Sequence, residues 1–379
     1  MSNDYIEFYG KNKISPVNQD ISDLRLHYRR RQKLYRQCGI PTIAFKDNDI
    51  LEVGPGGGHN ALALLNWGIH GIEMVEPNIT GVETIKKLFT QYHIDPNIYK
   101  IVNTTIEEYN TERHFDIVLA EGFLSYVPNP KEICHKLGRL AREGGVVVVT
   151  CSDDTSILIE LIKRLIGICL TSDIDDFNEK VEKLIPIFEP QLESLRGVSR
   201  PAKDWIEDNI FNPVFSNGLS FSLGDALDAF KGFDLLGGSP KMFTDYSWYK
   251  DIWYDEFSEY KDQFDRKRNS LIMADMPEVI LSKEDSNKIQ AIITKLKKIE
   301  NEYEHDNDRK HLDELYYELV NGRELFTILG DYVSDVYDDL LNIIRELEEG
   351  ITPSFDNYPN LFKAFGRGLQ YISFMKLSD

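Results

Sequence analysis

Residues Asp49-Ile50-Leu51-Glu52-Val53-Gly54-Pro55-Gly56-Gly57-Gly58-His59-Asn60 restrict the fold more than any other part of the chain. A short apolar run, read as a strand, passes directly into a glycine-rich turn, and a helix is expected to begin near Ala61. Without a Cβ, such a turn adopts positive φ and lets a ligand come close, while the free N–H groups of the following helix face that ligand. This is the opening unit of a nucleotide-binding α/β sheet.

The same alternation continues to about residue 151. Strand candidates are Ile50 to Val53, Ile72 to Val75, Tyr99 to Val102, Phe115 to Ala120 and Val146 to Cys151, each bounded by Gly, Asp, Asn or Pro. Successive βα units of this kind build a parallel sheet. Two further strands are expected at Phe233 to Leu236 and Leu369 to Phe374. If they pair as the last strands, residues 250–365 form a large helical insertion between them. Within it Ile289, Ile292, Ile293, Leu296 and Ile299 share one helix face, and Val333, Val336, Tyr337, Leu340, Ile344 and Leu347 share another.

Two nucleotide chemistries use a glycine turn of this shape. Gly56-x-Gly58-x-x-Ala61, with Glu76 downstream for a ribose, satisfies the dinucleotide fingerprint. Glu52 opposes that reading, because a carboxylate two residues before the glycines repels a pyrophosphate and suits an amino or ammonium group. The arrangement Glu52-x-Gly54-x-Gly56-x-Gly58 resembles the first motif of class I S-adenosylmethionine-dependent methyltransferases, in which the turn cradles the methionine part of the cofactor.

That resemblance implies a Rossmann-like seven-stranded sheet and roles for particular residues. Glu52, Gly54, Gly56 and Gly58 border the cofactor. Glu76, 24 residues after Glu52, accepts hydrogen bonds from both ribose hydroxyls, and Thr105 and Ile106 cover the adenine. In the loop Glu121-Gly122-Phe123-Leu124-Ser125-Tyr126, Glu121 lies beside the cofactor and Tyr126 is a candidate catalytic residue; either is placed to orient an acceptor. His59 is a candidate base. Upstream, residues 20–37 read as a helix with Arg25, Arg29, Arg30, Arg31, Lys33 and Arg36; it is either a solvated basic face or a lid from which Tyr28 and Arg31 reach the cofactor. The expected organisation is an N-terminal helical lid (1–48), a core (49–249) with a helical substrate region (153–232), an acidic helical insertion (250–365) and a last strand (366–379).

The acceptor is less legible. Methyl transfer needs chiefly a nucleophile held in line with the methyl group and no obligatory residue type. The polar-aromatic cluster around Arg200, Asp204, Trp205 and Asn209, with Trp248 further on, reads equally as substrate recognition or as aromatics that pin the insertion to the core. The wording Leu34-Tyr35-Arg36, Gly39-Ile40-Pro41 and Gly54 to Asn60 is similar to bacterial methyltransferases associated with surface-glycan modification. A small-molecule or glycan acceptor is therefore expected, with S-adenosylhomocysteine as product. A protein or peptide methyltransferase, a non-catalytic binding module and a nicotinamide-dependent oxidoreductase are the alternatives.

Charge narrows the partners. With 43 Lys and Arg against 63 Asp and Glu, the net charge of −20 lacks the footprint for nucleic-acid phosphates. Residues 251–350 alone hold 26 acidic and 13 basic side chains, so the surplus sits on the insertion, a candidate lid or homodimerisation element. The four cysteines, Cys38, Cys134, Cys151 and Cys169, include no Cys-x-x-Cys pair, which fits free thiols in a reducing compartment. No metal-ligand spacing is evident. Met1-Ser2-Asn3-Asp4 opens without a secretory pattern, and the apolar stretch Ile157 to Leu170 is too short to cross a bilayer and carries Glu160, Lys163 and Arg164. A cytoplasmic protein with no membrane span is expected.

Overall fold

The computed structural model describes residues 19–195, 201–212, 220–251, 255–351, 353 and 355–377. They fall into two compact units: one of the described residues among 19–152, 220–263 and 369–377, the other of those among 153–212 and 264–368.

The first unit is a Rossmann-like α/β sheet. Its strands are β1 (Asp49–Val53), β2 (Gly71–Val75), β3 (Tyr99–Val102), β4 (Phe115–Ala120), β5 (Ala141–Cys151), β6 (Phe233–Ser239) and β7 (Gln370–Lys376), in the order β3-β2-β1-β4-β5-β7-β6. The first five run parallel, and β7 is antiparallel to both β5 and β6. Helices α1 (Leu24–Gln37), α2 (Ala61–Asn66) and α3 (Ile79–Gln91) supply Tyr35, Leu62, Leu64, Ile85 and Phe89 to a core closed by Ile50, Ile72, Met74, Ile117 and Val148 of the sheet. The Asp23 side chain caps α1 by accepting from the Leu26 N–H at 3.0 Å, which ends the preceding chain and starts the helix in one hydrogen bond.

All seven expected strands are present, two of them extended by several residues: β6 continues through Gly237 and Gly238 to Ser239, and β5 starts early. β5 begins at Ala141, ahead of the glycines read as a turn, because a bulge absorbs them: the register shifts between Phe115 and Ile117, and Gly144 takes φ +70°.

Parallel sheets bind ligands outside the carboxyl ends of the strands where the order reverses. Here β1 has β2 on one side and β4 on the other, so the relevant ends carry Glu52, Glu76 and Glu121.

The second unit is helical. After α4 (Pro130–Leu140) of the sheet unit, helix α5 (Leu158–Leu170) is buried along most of its length, and Glu160, Lys163 and Arg164 each have a partner within the helical unit, Glu160 Oε1 accepting from the Gly366 N–H at 2.9 Å. Lys163 Nζ donates to the Ala364 carbonyl at 2.6 Å, and Arg164 Nε donates to Glu300 at 2.9 Å. Helices α6 (Phe177–Ser194) and α7 (Ala202–Asn209) join α8 (Lys283–Asp306), α9 (Lys310–Thr327) and α10 (Asp331–Glu348) around the same apolar core. The two amphipathic faces read from the sequence both face it, with Ile289, Ile293, Leu296, Val336, Leu340 and Ile344 all buried.

Candidate functional site

Three glycines after β1 hold left-handed backbone: Gly54 at φ +70°, Gly56 at +57° and Gly58 at +77°. Their neighbours show why side chains do not fit. A Cβ on Gly54 would stand 3.0 Å from the Phe123 ring, and one on Gly58 3.0 Å from Ile85. The turn is tied to the next strand: Gly54 N–H donates to the Val75 carbonyl at 2.9 Å, and Gly56 N–H to Glu76 Oε2 at 2.8 Å. Asn78 N–H donates to Glu76 Oε1 at 2.8 Å, and Asn103 Nδ2 donates to the Glu76 carbonyl at 2.8 Å. Glu76 is thus fixed by backbone donors, while each oxygen keeps acceptor capacity.

Three carboxylates converge here, each with its own environment. Glu52 is 2% exposed, and its Oε2 has no hydrogen-bond partner among the described residues. Burial, then the nearby Glu121 charge, push its carboxyl up to about 8 against the pull of Arg31. Burial likewise raises Glu76 to about 7, opposed by its two backbone hydrogen bonds.

Glu121 is held in an ion pair. Arg31 Nη2 donates to both of its oxygens at 2.7 Å, and the Tyr35 hydroxyl donates to Oε1 at 2.7 Å. Burial drives the Tyr35 and Tyr371 hydroxyls far above their ordinary values and the Cys38 thiol up to about 12, so all three stay protonated.

Glu52, Gly54, Gly56, Gly58, Glu76, Glu121 and Arg31 are therefore brought together at the ends of β1, β2 and β4. His59 is buried at the end of the glycine turn, where its carbonyl meets His27 Nε2 at 3.0 Å. Tyr28 is half-buried on α1. Thr105 is half-buried and Ile106 buried in the turn after β3, and Tyr126 is half-buried in the short turn Leu124–Tyr126.

On the acceptor side, Arg200 lies outside the described residues. Asp204, Trp205 and Asn209 are on α7 in the helical unit. Trp205 is packed there, its ring 5.5 Å from Phe188 and 6.4 Å from Phe365, and its carbonyl accepts from Asn209 Nδ2 at 2.9 Å. Trp248 belongs to the sheet unit, 65% exposed beside Tyr249 and Lys250. The sequence reading missed Tyr35, Tyr371, Phe123 and Asn103. Only Tyr35 carried a signal, being one helical turn from Arg31.

Residues 25–179 match the methyltransferase domain family. The match takes in the glycine turn, all three carboxylates and the five parallel strands. Solved structures similar to part of this chain include the CcbJ methyltransferase of Streptomyces caelestis, 19% identical over 29% of this chain and 45% of that one, with a TM-score of 0.27. The N-methyltransferase NodS of Bradyrhizobium japonicum, determined with S-adenosyl-L-homocysteine, is 15% identical over 40% and 75%, with a TM-score of 0.32. An S-adenosylmethionine-dependent methyltransferase of Mesorhizobium loti is 12% identical over 31% and 52%, with a TM-score of 0.27. The first solved structures matched are spanned over 45% to 57% of their own length. No curated protein matches the chain.

Proposed function

We propose that this chain is an S-adenosylmethionine-dependent methyltransferase acting on an oxygen or nitrogen nucleophile of a small-molecule or glycan-type acceptor. The observation that carries the reading is the Glu52 carboxylate, buried with an unpartnered oxygen at the foot of a glycine turn that admits no side chain. A buried acceptor of this kind is costly unless a cation satisfies it. An amino-acid ammonium does so, whereas a pyrophosphate would add repulsion. This favours S-adenosylmethionine over a nicotinamide dinucleotide.

When bound, the cofactor supplies an electrophilic methyl group on a sulfonium and leaves as S-adenosylhomocysteine. The chain's own residues bind and orient. Glu52 takes the ammonium, Glu76 accepts from paired ribose hydroxyls, and Thr105 and Ile106 face the adenine. Arg31 and Tyr35 hold the Glu121 charge in place beside them. Tyr126 and His59 are the candidates for positioning or deprotonating the acceptor. The net charge of −20 favours an acceptor without an array of phosphates, and the surface-glycan wording of residues 34–60 supports a glycan. Among the described residues no helix is long and apolar enough to cross a membrane.

Calorimetric titration with S-adenosylmethionine, S-adenosylhomocysteine and NAD, on the wild type and Glu76→Ala, tests the reading. Binding of the first two, lost in the variant, is expected. Binding of NAD alone, or of none of them, overturns it.

A further inference from the structure

In the helical unit, far along the chain from the methyltransferase domain, Glu302 on α8 and His311 and Glu314 on α9 present one ligand atom each within 4.8 Å of one another. His311 and Glu314 are three residues apart on one helix face, and Glu302 lies near the end of the preceding helix. Acidic side chains at a helix turn gather without purpose often enough, and the telling feature is the imidazole.

His311 is 6% exposed, and its Nδ1 is buried with no hydrogen-bond partner among the described residues. On the other side of the ring, Nε2 meets Asp306 Oδ2 at 3.1 Å. That carboxylate accepts only, so Nε2 is the donor there, and in the neutral imidazole this leaves Nδ1 to offer its lone pair to a metal. The nearest carboxylate oxygen to Nδ1, Glu302 Oε2, stands 3.7 Å away, too far for a hydrogen bond and close enough for both to reach one ion. Carboxylate on one nitrogen and open lone pair on the other is how proteins orient a metal-ligating histidine.

We propose that Glu302, His311 Nδ1 and Glu314 form a binding site for a divalent transition ion of the zinc class, with Asp306 positioning the imidazole and water completing the shell. Mixed nitrogen and carboxylate ligands suit zinc, whose bonds of about 2.0–2.2 Å bring tetrahedral ligand atoms to roughly 3.5 Å apart. The change from the observed spacing falls on Glu302 and Glu314, the two more exposed members, whose long side chains move freely at the surface. The nearby ammonium of Lys298 sits 3.5 Å from the other oxygen of Glu302, and Lys310 pairs with Asp308 at 2.8 Å and reaches Asp306 at 3.7 Å, leaving Glu302 Oε2 to the ion. The ion would clip the end of α8 to the start of α9.

The test is titration of the full, metal-stripped chain with Zn2+, followed by unfolding temperature, and with Co2+, followed by visible absorption. Zn2+ is expected to raise the unfolding temperature by a few degrees and Co2+ to develop d–d bands, with Mg2+ doing neither. Glu302→Gln and Glu314→Gln, neither of them a core position, should each weaken binding about tenfold or more, and Asp306→Asn about tenfold through ring orientation. His311→Ala should abolish the Co2+ bands; if that variant does not fold, the two Gln variants decide. Absence of any Zn2+ shift and Co2+ band, or Gln variants that titrate like the wild type, overturns the proposal.

Discussion

The role proposed for Glu52 sets ligand affinity against stability at the scale of one residue. Its carboxyl holds a proton up to about pH 8 in the folded chain, against an ordinary value of 4.5. Between those limits the folded state binds more protons than the unfolded state, so stability of the free protein falls as pH rises from about 4.5 to about 8 and then levels. Glu76 contributes with the same sign up to about 7. Ammonium binding demands the ionised form, so S-adenosylhomocysteine affinity should rise with pH by up to about tenfold per unit until Glu52 is ionised. Glu52→Gln should flatten that dependence, weaken binding and raise the unfolding temperature at about pH 8, measured by calorimetry over the same range. A variant with unchanged pH dependence would remove Glu52 from the site. Gly81 gives a second residue-scale prediction. Its absent Cβ would stand 2.9 Å from the Gly56 carbonyl and 3.2 Å from the Glu76 carboxyl carbon, so Gly81→Ala has to push the glycine turn itself. A stability loss of about 1–3 kcal/mol is expected by denaturant unfolding, with a larger fractional loss of cofactor binding.

At the scale of elements, the strands were legible because buried parallel strands leave continuous apolar runs with Gly, Asp or Asn at their ends. The places of Glu52, Glu76 and the glycines in the fold were legible for a related reason, as strand-end positions follow directly from strand positions. The partners of α1 were not. Nothing in the local pattern separates Tyr35 from a packing aromatic, and its acceptor, Glu121, is 86 residues away. Among six cations on that helix the sequence singles out Arg31 as a residue reaching the cofactor, but its burial, 7% exposed, against Glu121 90 residues away had no local signal. The bulge in β5 was hidden because Gly144 and Gly145 look alike in a turn and in a distorted strand. The ion pair bears a prediction of its own. Arg31→Met leaves Glu121 buried with only the Tyr35 hydroxyl, and should cost about 3–5 kcal/mol in denaturant unfolding at neutral pH. Arg31→Met with Glu121→Gln removes both charges and should recover most of that loss. Additive losses would mean that the two side chains stabilise the unit independently.

Across the whole molecule, helical periodicity in residues 250–365 revealed buried stripes without revealing what buries them, because a stripe specifies a face and not its partner. In the structure, α5, α6 and α7 share that core, and the second unit is assembled from two chain segments. The sheet unit is discontinuous too, and this makes its last strand decisive. β7 lies inside the sheet: it pairs with β5 from Val146 to Cys151 on one side and with β6 from Phe233 to Ser239 on the other. Phe374 is fully buried and stacks on Phe230 at 4.6 Å, and Ser373 Oγ donates to the Cys38 carbonyl at the end of α1. Without β7, β6 has no neighbour in the sheet and a central row of β5 hydrogen-bonding groups is left unpaired. A chain ending at Gly368 should therefore lose cooperative unfolding, near-ultraviolet circular dichroism and S-adenosylhomocysteine binding together. Phe374→Ala, which keeps the backbone ladder, should lose about 3–5 kcal/mol while still binding. If the truncated chain unfolds cooperatively and binds like the wild type, the five parallel strands suffice alone; if the point variant behaves like the truncation, ring packing rather than strand pairing closes the sheet.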